Sequence, residues 1–146
     1  MQTILSQHRD SAYALMRIVG GFLFACHGLQ KMFGLMGGTQ RELMSLMGLA
    51  GVIELVGGLL IMVGFMTGIA AFISSGQMAV AYFMAHQFRA GEDGMMLGWW
   101  PIENRGELAV LYCFLFLFVA MVGAGKWSLD GRGLQFFAKV DAGRGS

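Results

Sequence analysis

Apolar residues fill the chain in four long blocks separated by short polar breaks. The blocks run from about Ala12 to Phe33, Leu43 to Phe65, Thr67 to Gln87 and Glu107 to Gly125. Each is close to the roughly 20 residues that a helix needs to cross the hydrocarbon core of a bilayer. None alternates apolar and polar positions as a barrel strand would, and each is too long for one. In lipid the backbone must satisfy its own hydrogen bonds, which makes the blocks helices. The pattern predicts an all-α polytopic membrane protein, a four-transmembrane-helix bundle, in one domain over residues 1–146.

The breaks differ in kind. Phe65-Met66-Thr67-Gly68 leaves almost nothing between the second and third blocks, so these form a tight hairpin. Gly34 to Glu42 is a short polar loop. Phe88 to Arg105 is a long one and holds Trp99-Trp100-Pro101, where the indoles suit a membrane–water interface. The tail 126–146 is basic, and its piece Leu134–Val140 is expected to form a short surface helix. Four crossings put both termini on one side. That side carries Arg9, Lys126, Arg132, Lys139 and Arg144, against Lys31, Arg41, Arg89 and Arg105 on the other. The basic tail tips the balance toward both termini in the cytoplasm of a bacterial cell, with the protein in its inner membrane. Leu23-Phe24-Ala25-Cys26 faintly imitates a lipoprotein cleavage site, but Arg17 interrupts the apolar run before it, so no cleaved signal is expected.

Composition narrows the class. Apolar residues make up 56% and charged residues 13%, about half the usual charged share. Mean hydropathy is +0.62. These values exclude a disordered chain, and two cysteines exclude a disulfide scaffold. A net charge of +1 offers no basic field for nucleic acid.

Against that apolar background, ionisable residues within spans are the candidate chemistry, because each is costly unless paired or hydrated. They are Arg17, His27, Lys31, Glu54, His86 and Glu107. At about 100° per residue, Arg17, Gly20, Phe24, His27, Gly28 and Lys31 share one stripe of the first helix. Glu54 shares a face with Gly51, Gly57 and Gly58, and small residues there let a neighbouring backbone come close. His86 shares a stripe with Ser75 and Tyr82, and Glu107 shares one with Leu111, Phe114 and Phe118. The helical rise gathers His27, Lys31, His86 and Glu107 at one end, with Glu54 near mid-membrane. Arg17 lies about 8 Å deeper than Glu54. The expectation is an outward-opening polar pocket, lined by His27, Lys31, His86 and Glu107 and floored by a Glu54–Arg17 ion pair. Structural readings stand beside it. Arg17 and Glu54 could serve only to hold the bundle, Lys31 could snorkel to headgroups, and Glu107 could complement a helix dipole with Asn104 as cap.

The pocket could serve a quinone. Quinone carbonyls accept hydrogen bonds from His or Lys, and titratable groups such as His27 and Glu54 can relay protons. Two histidines on different helices could also ligate a haem. No His-Glu-x-x-His or Cys-x-x-Cys run is present, so no metal site is expected. Cys26 and Cys113 read as buried small residues.

The same residues carry a resemblance. MRIVGGFLFACHGLQKMFG (Met16–Gly34), GVIELVGGLLIMVGFMTGIAA (Gly51–Ala71), PIENRGELAVLYCFLFLF (Pro101–Phe118) and GAGKWSLD (Gly123–Asp130) together resemble the DoxX family of small four-helix membrane proteins. The likeness covers about residues 12–130. Arg17, His27, Lys31, Glu54, Asn104, Glu107, Trp127 and Asp130 fall on its motif positions. Gly68 stands where the family often has a basic residue after the threonine, and Arg105 where glycine is common. The resemblance implies a four-helix bundle with termini inside. Some relatives are subunits of membrane thiosulfate:quinone oxidoreductases, others are linked to oxidative-stress complexes, and many have no assigned role. Two readings follow. One is a redox-associated subunit binding a quinone or a small anion, with His27 and Glu54 as catalytic groups and His27, Lys31, His86, Arg17 and Glu107 as ligand-binding groups. The other is a non-catalytic assembly partner within a larger membrane complex.

Overall fold

The computed structural model describes residues 4–88, 90 and 98–131. Arg89, the charged stretch 91–97 and the tail from 132, with its expected helix at 134–140, lie outside them. A short turn of 3-10 helix, Ile4–His8, leads into α1 (Arg9–Phe33). Then come α2 (Leu46–Val63), α3 (Thr67–Ala81), a π-helical turn (Tyr82–Gln87) and α4 (Glu107–Val122). The four long apolar blocks all form helices, with shifted ends. The second begins at Leu46 and not Leu43, because the Ser45 hydroxyl accepts from the Gly48 amide at 3.0 Å and caps it. The third changes from α to π geometry at Tyr82. The fourth stops at Val122, where Gly123 leaves helical geometry at φ 85°. Gly34 and Gly64 end α1 and α2 in the left-handed conformation that glycine adopts without steric cost.

Three helical segments are long and apolar enough to cross a membrane: Ser6–Phe33, Leu46–Val63 and Thr67–Gln87. The 16-residue α4 is shorter, about 24 Å of helix. Large apolar side chains such as Phe22, Phe72, Leu111 and Phe114 face outward along the bundle. So wide an apolar exterior suits lipid and not water.

Lipid is as apolar as leucine, so close packing must hold the helices together. α1 packs along α2 through glycine. A Cβ added at Gly58 would sit 2.5 Å from the Ala25 nitrogen, and one at Gly21 would sit 2.6 Å from the Met62 nitrogen. α3 packs along α4, where the Ser75 hydroxyl donates to the Cys113 carbonyl at 2.8 Å. An aromatic trio joins the pairs, with Phe24 edge-on to Phe116 at 4.7 Å and Tyr112 stacked on Phe116 at 5.4 Å. α2 and α3 touch where Gly57 faces Ser74. Beyond that contact, away from their connecting turn, a cavity opens between them.

Candidate functional site

The cavity measures about 760 Å³ and is walled by all four helices. Its lining is mostly apolar. Leu46, Leu49, Val80 and Met84 stand at its rim with much of their surface exposed, so the mouth faces sideways between α2 and α3. Four of the six ionisable residues singled out from sequence line it: His27 and Lys31 from α1, Glu54 from α2, and His86 from the π turn.

The charges pair differently from the expectation. Lys31 Nζ lies 2.5 Å from Glu54 Oε1. The Glu54 side chain is 2% exposed and that of Lys31 25%. Gln77 Nε2 donates to the same Glu54 oxygen at 3.4 Å. Glu54 Oε2 and Gln77 Oε1 are buried without a hydrogen-bond partner among the described residues.

Hydrogen bonds to acceptors fix both histidines. Gln30 donates from Nε2 to the Met36 carbonyl at 3.1 Å, which turns its oxygen toward His27. His27 Nδ1 lies 3.3 Å from that oxygen and is therefore the protonated nitrogen. His86 Nδ1 lies 3.2 Å from the Asn104 carbonyl, again an acceptor. In the neutral imidazoles Nε2 then carries the lone pair. The wide π turn lets consecutive residues serve two sites, His86 at the cavity and Gln87 inward to Asn104. Turns of this kind recur at functional sites.

Asn104 is almost fully buried. It donates to Gln87 Oε1 at 3.2 Å and accepts from the Gly106 amide at 2.9 Å. Tyr82 donates to the same Gln87 oxygen at 2.8 Å. Asn104 thus pins the loop before α4 to the end of α3. It does not cap α4, whose N-cap is Gly106 with no side-chain bond.

Arg17 is absent from the cavity, and the expected Glu54–Arg17 pair does not form. Arg17 lies at the opposite end, 0% exposed. It donates to the carbonyls of Ile61 (2.5 Å) and Met62 (2.8 Å) at the end of α2. It also donates to those of Trp127 (2.9 Å) and Lys126 (3.2 Å) after α4. Carbonyls at the end of α2 and in the turn after α4 hold it away from the carboxylate. Asp130 completes this knot by accepting from the Met66 amide, the Thr67 amide and the Thr67 hydroxyl, each at 2.9 Å. Burial pushes the Asp130 carboxyl up, but these three bonds and the nearby Arg17 guanidinium outweigh it and hold it below its ordinary value.

Glu107 also lies off the cavity. It is exposed at the start of α4, on the outward face with Leu111, Phe114 and Phe118. Its stripe on the helix is as expected, but that stripe faces out of the bundle. Cys26 and Cys113 are free and half-buried. Gln77 and Tyr112 line the cavity and escaped a search for ionisable residues. A lone amide within an apolar span is a usable signal for Gln77, since a polar group there needs a partner. No group of three or more His, Cys, Asp or Glu residues able to hold a metal occurs among the described residues.

The DoxX family model matches residues 12–87, which hold α1, α2, α3 and the π turn. An uncharacterized protein of Haemophilus influenzae is 40% identical over 139 residues, covering 92% of this chain and 98% of that protein. No solved structure matches the chain.

Proposed function

Because the chain belongs to the DoxX family of membrane proteins, we propose that it is a quinone-binding subunit of a membrane oxidoreductase. It forms a single domain crossing the bacterial inner membrane four times, with both termini in the cytoplasm. The observation that carries the reading is the cavity: apolar walls, a mouth facing sideways between α2 and α3, and a Lys31–Glu54 pair inside with its carboxylate buried. A lipid-soluble ring with polar oxygens at its edge fits such a space. Bound there, a quinone would supply two-electron chemistry coupled to two protons, with electrons exchanged through partner subunits.

The chain's own residues would bind and manage protons. Lys31 has ammonium protons beyond the one aimed at Glu54, and these can donate to a ring oxygen. His27 and His86, each fixed through Nδ1, would offer Nε2 to a proton. Glu54 can hold or release one, with Lys31 compensating its charge. The apolar rim at Leu49, Val80 and Met84 would hold a tail and exclude water.

A second reading rests on the knot at the other end. Arg17, Trp127 and Asp130 lie on motif positions and tie chain segments together, as Asn104 does near the cavity. This favours a non-catalytic scaffold for partner subunits. Isoprenoid quinone extracted per mole of protein purified in mild detergent separates the readings. Wild type is expected to carry it. Gly76→Trp, which projects a ring from a cavity-lining position with no atom within 4 Å of its Cβ, is expected to lose most of it. Quinone-free wild type, or full retention by Gly76→Trp, moves the assignment to the scaffold.

A further inference from the structure

The cavity has a hydrogen-bond imbalance that bears on which ligand it takes. Glu54 Oε2 and Gln77 Oε1 are both acceptors, both buried, and both without a donor among the described residues. Both residues line the cavity, one on α2 and one on α3. Their remaining atoms are engaged, with Lys31 Nζ and Gln77 Nε2 converging on the other Glu54 oxygen. A buried acceptor left unmade is costly, and a carboxylate oxygen is the more costly kind. A ligand whose head group presents only lone pairs would leave both oxygens unsatisfied and set lone pairs against them. A ligand bearing hydroxyl protons would satisfy them once the carboxylate and the amide turn toward it, and its hydroxyl oxygen could still accept from Lys31.

We propose that the cavity selects the reduced, hydroxyl-bearing form of its ligand, a hydroquinone over the corresponding quinone. This rests on the quinone-site reading above and adds the preferred state of the head group. Selectivity resides in Glu54 and Gln77, while the apolar rim treats both forms alike, because the tail does not change. The preference concerns binding alone and needs no electron donor or acceptor.

Titration calorimetry on protein in lipid nanodiscs tests it, with empty nanodiscs subtracted. The probes are a decyl-tailed benzoquinone and its hydroquinone, both kept anaerobic. The hydroquinone is expected to bind at least about tenfold more tightly, the worth of one hydrogen bond to a charged acceptor. Gln77→Leu, which removes one orphaned acceptor and adds no charge, should narrow the ratio severalfold. Glu54→Gln, which can turn an amide N–H toward the ligand, should reverse it. Equal binding of the two forms by wild type, or tighter binding of the quinone, overturns the selectivity and leaves the quinone site standing. An unchanged ratio in both variants overturns the assignment to Glu54 and Gln77. Binding of neither form overturns the site and its selectivity together.

Discussion

At the scale of single residues, the two cations of α1 that face the bundle do different work. Lys31 is a flexible point charge and meets the Glu54 carboxylate. Arg17 is a planar fork with five donors and meets carbonyls on two separate segments. Lysine presents its three donors at a single point and cannot serve both segments. Each buried carbonyl left unmet costs about 1–3 kcal/mol. Arg17→Lys is therefore expected to destabilise by roughly 2 kcal/mol or more, and Arg17→Met by more again. Thermal unfolding in detergent would show both, and a wild-type midpoint in Arg17→Met would contradict the account. Ligand binding below the midpoint should survive, because Arg17 lies ten residues from His27, about 15 Å along α1. The sequence revealed which residues are buried and charged but misassigned their partners. Charge matching favoured Glu54 for Arg17, since carbonyls exist at every position and leave no mark in a sequence. The lone pairs on Glu54 and Gln77 were equally invisible, because an unmet acceptor is a property of packing.

At the scale of elements, the helices were legible and their ends less so. The apolar blocks fix α1 to α4 because lipid leaves the backbone no other option. The π turn at Tyr82–Gln87 was not legible, since it changes register without changing residue type. Ser45 could have been read as a cap, but the apolar Leu43 and Met44 before it extended the block. The start of α3 depends on a residue 63 positions away, Asp130, whose carboxylate accepts two amides and a hydroxyl there. A negative charge at a helix N-terminus is favourable. The folded pKa of this carboxyl is depressed, so its stabilising contribution is complete above the ordinary value of 3.8 and is lost as pH falls through the lower folded value. Asp130→Asn should accordingly lower the unfolding midpoint at about pH 7, and the gap to wild type should narrow once pH drops below about 4. Midpoints measured across that range check this, and a constant gap would show that the charge does not contribute.

At the scale of the whole molecule, the two ends of the bundle have separate tasks: a tied end at Arg17 and Asp130, and an open end at the cavity. That division bears on whether the short α4 crosses the membrane. Its 16 residues fall below the usual length. Yet its start is fastened through Asn104 to the end of α3 at His86 and Gln87. Its finish leads into Asp130, which is fastened to the start of α3 at Thr67. With its flanking turns, α4 therefore covers the same depth as α3 and the π turn together, Thr67–Gln87, which are long enough to span. If so, the 34–45 loop and the segment before α4 share one side of the membrane, and the segment after α4 lies on the other. Single cysteines at Thr39, Ile102 and Lys126, in a background with Cys26 and Cys113 replaced by alanine, report this directly. With termini in the cytoplasm, Thr39→Cys and Ile102→Cys should react with an impermeant maleimide in cells whose outer membrane alone has been opened. Lys126→Cys should react only after the inner membrane is opened. Labelling of Ile102→Cys and Lys126→Cys from the same side would mean that α4 turns back, and the cavity would then lack the membrane setting that its lateral mouth requires.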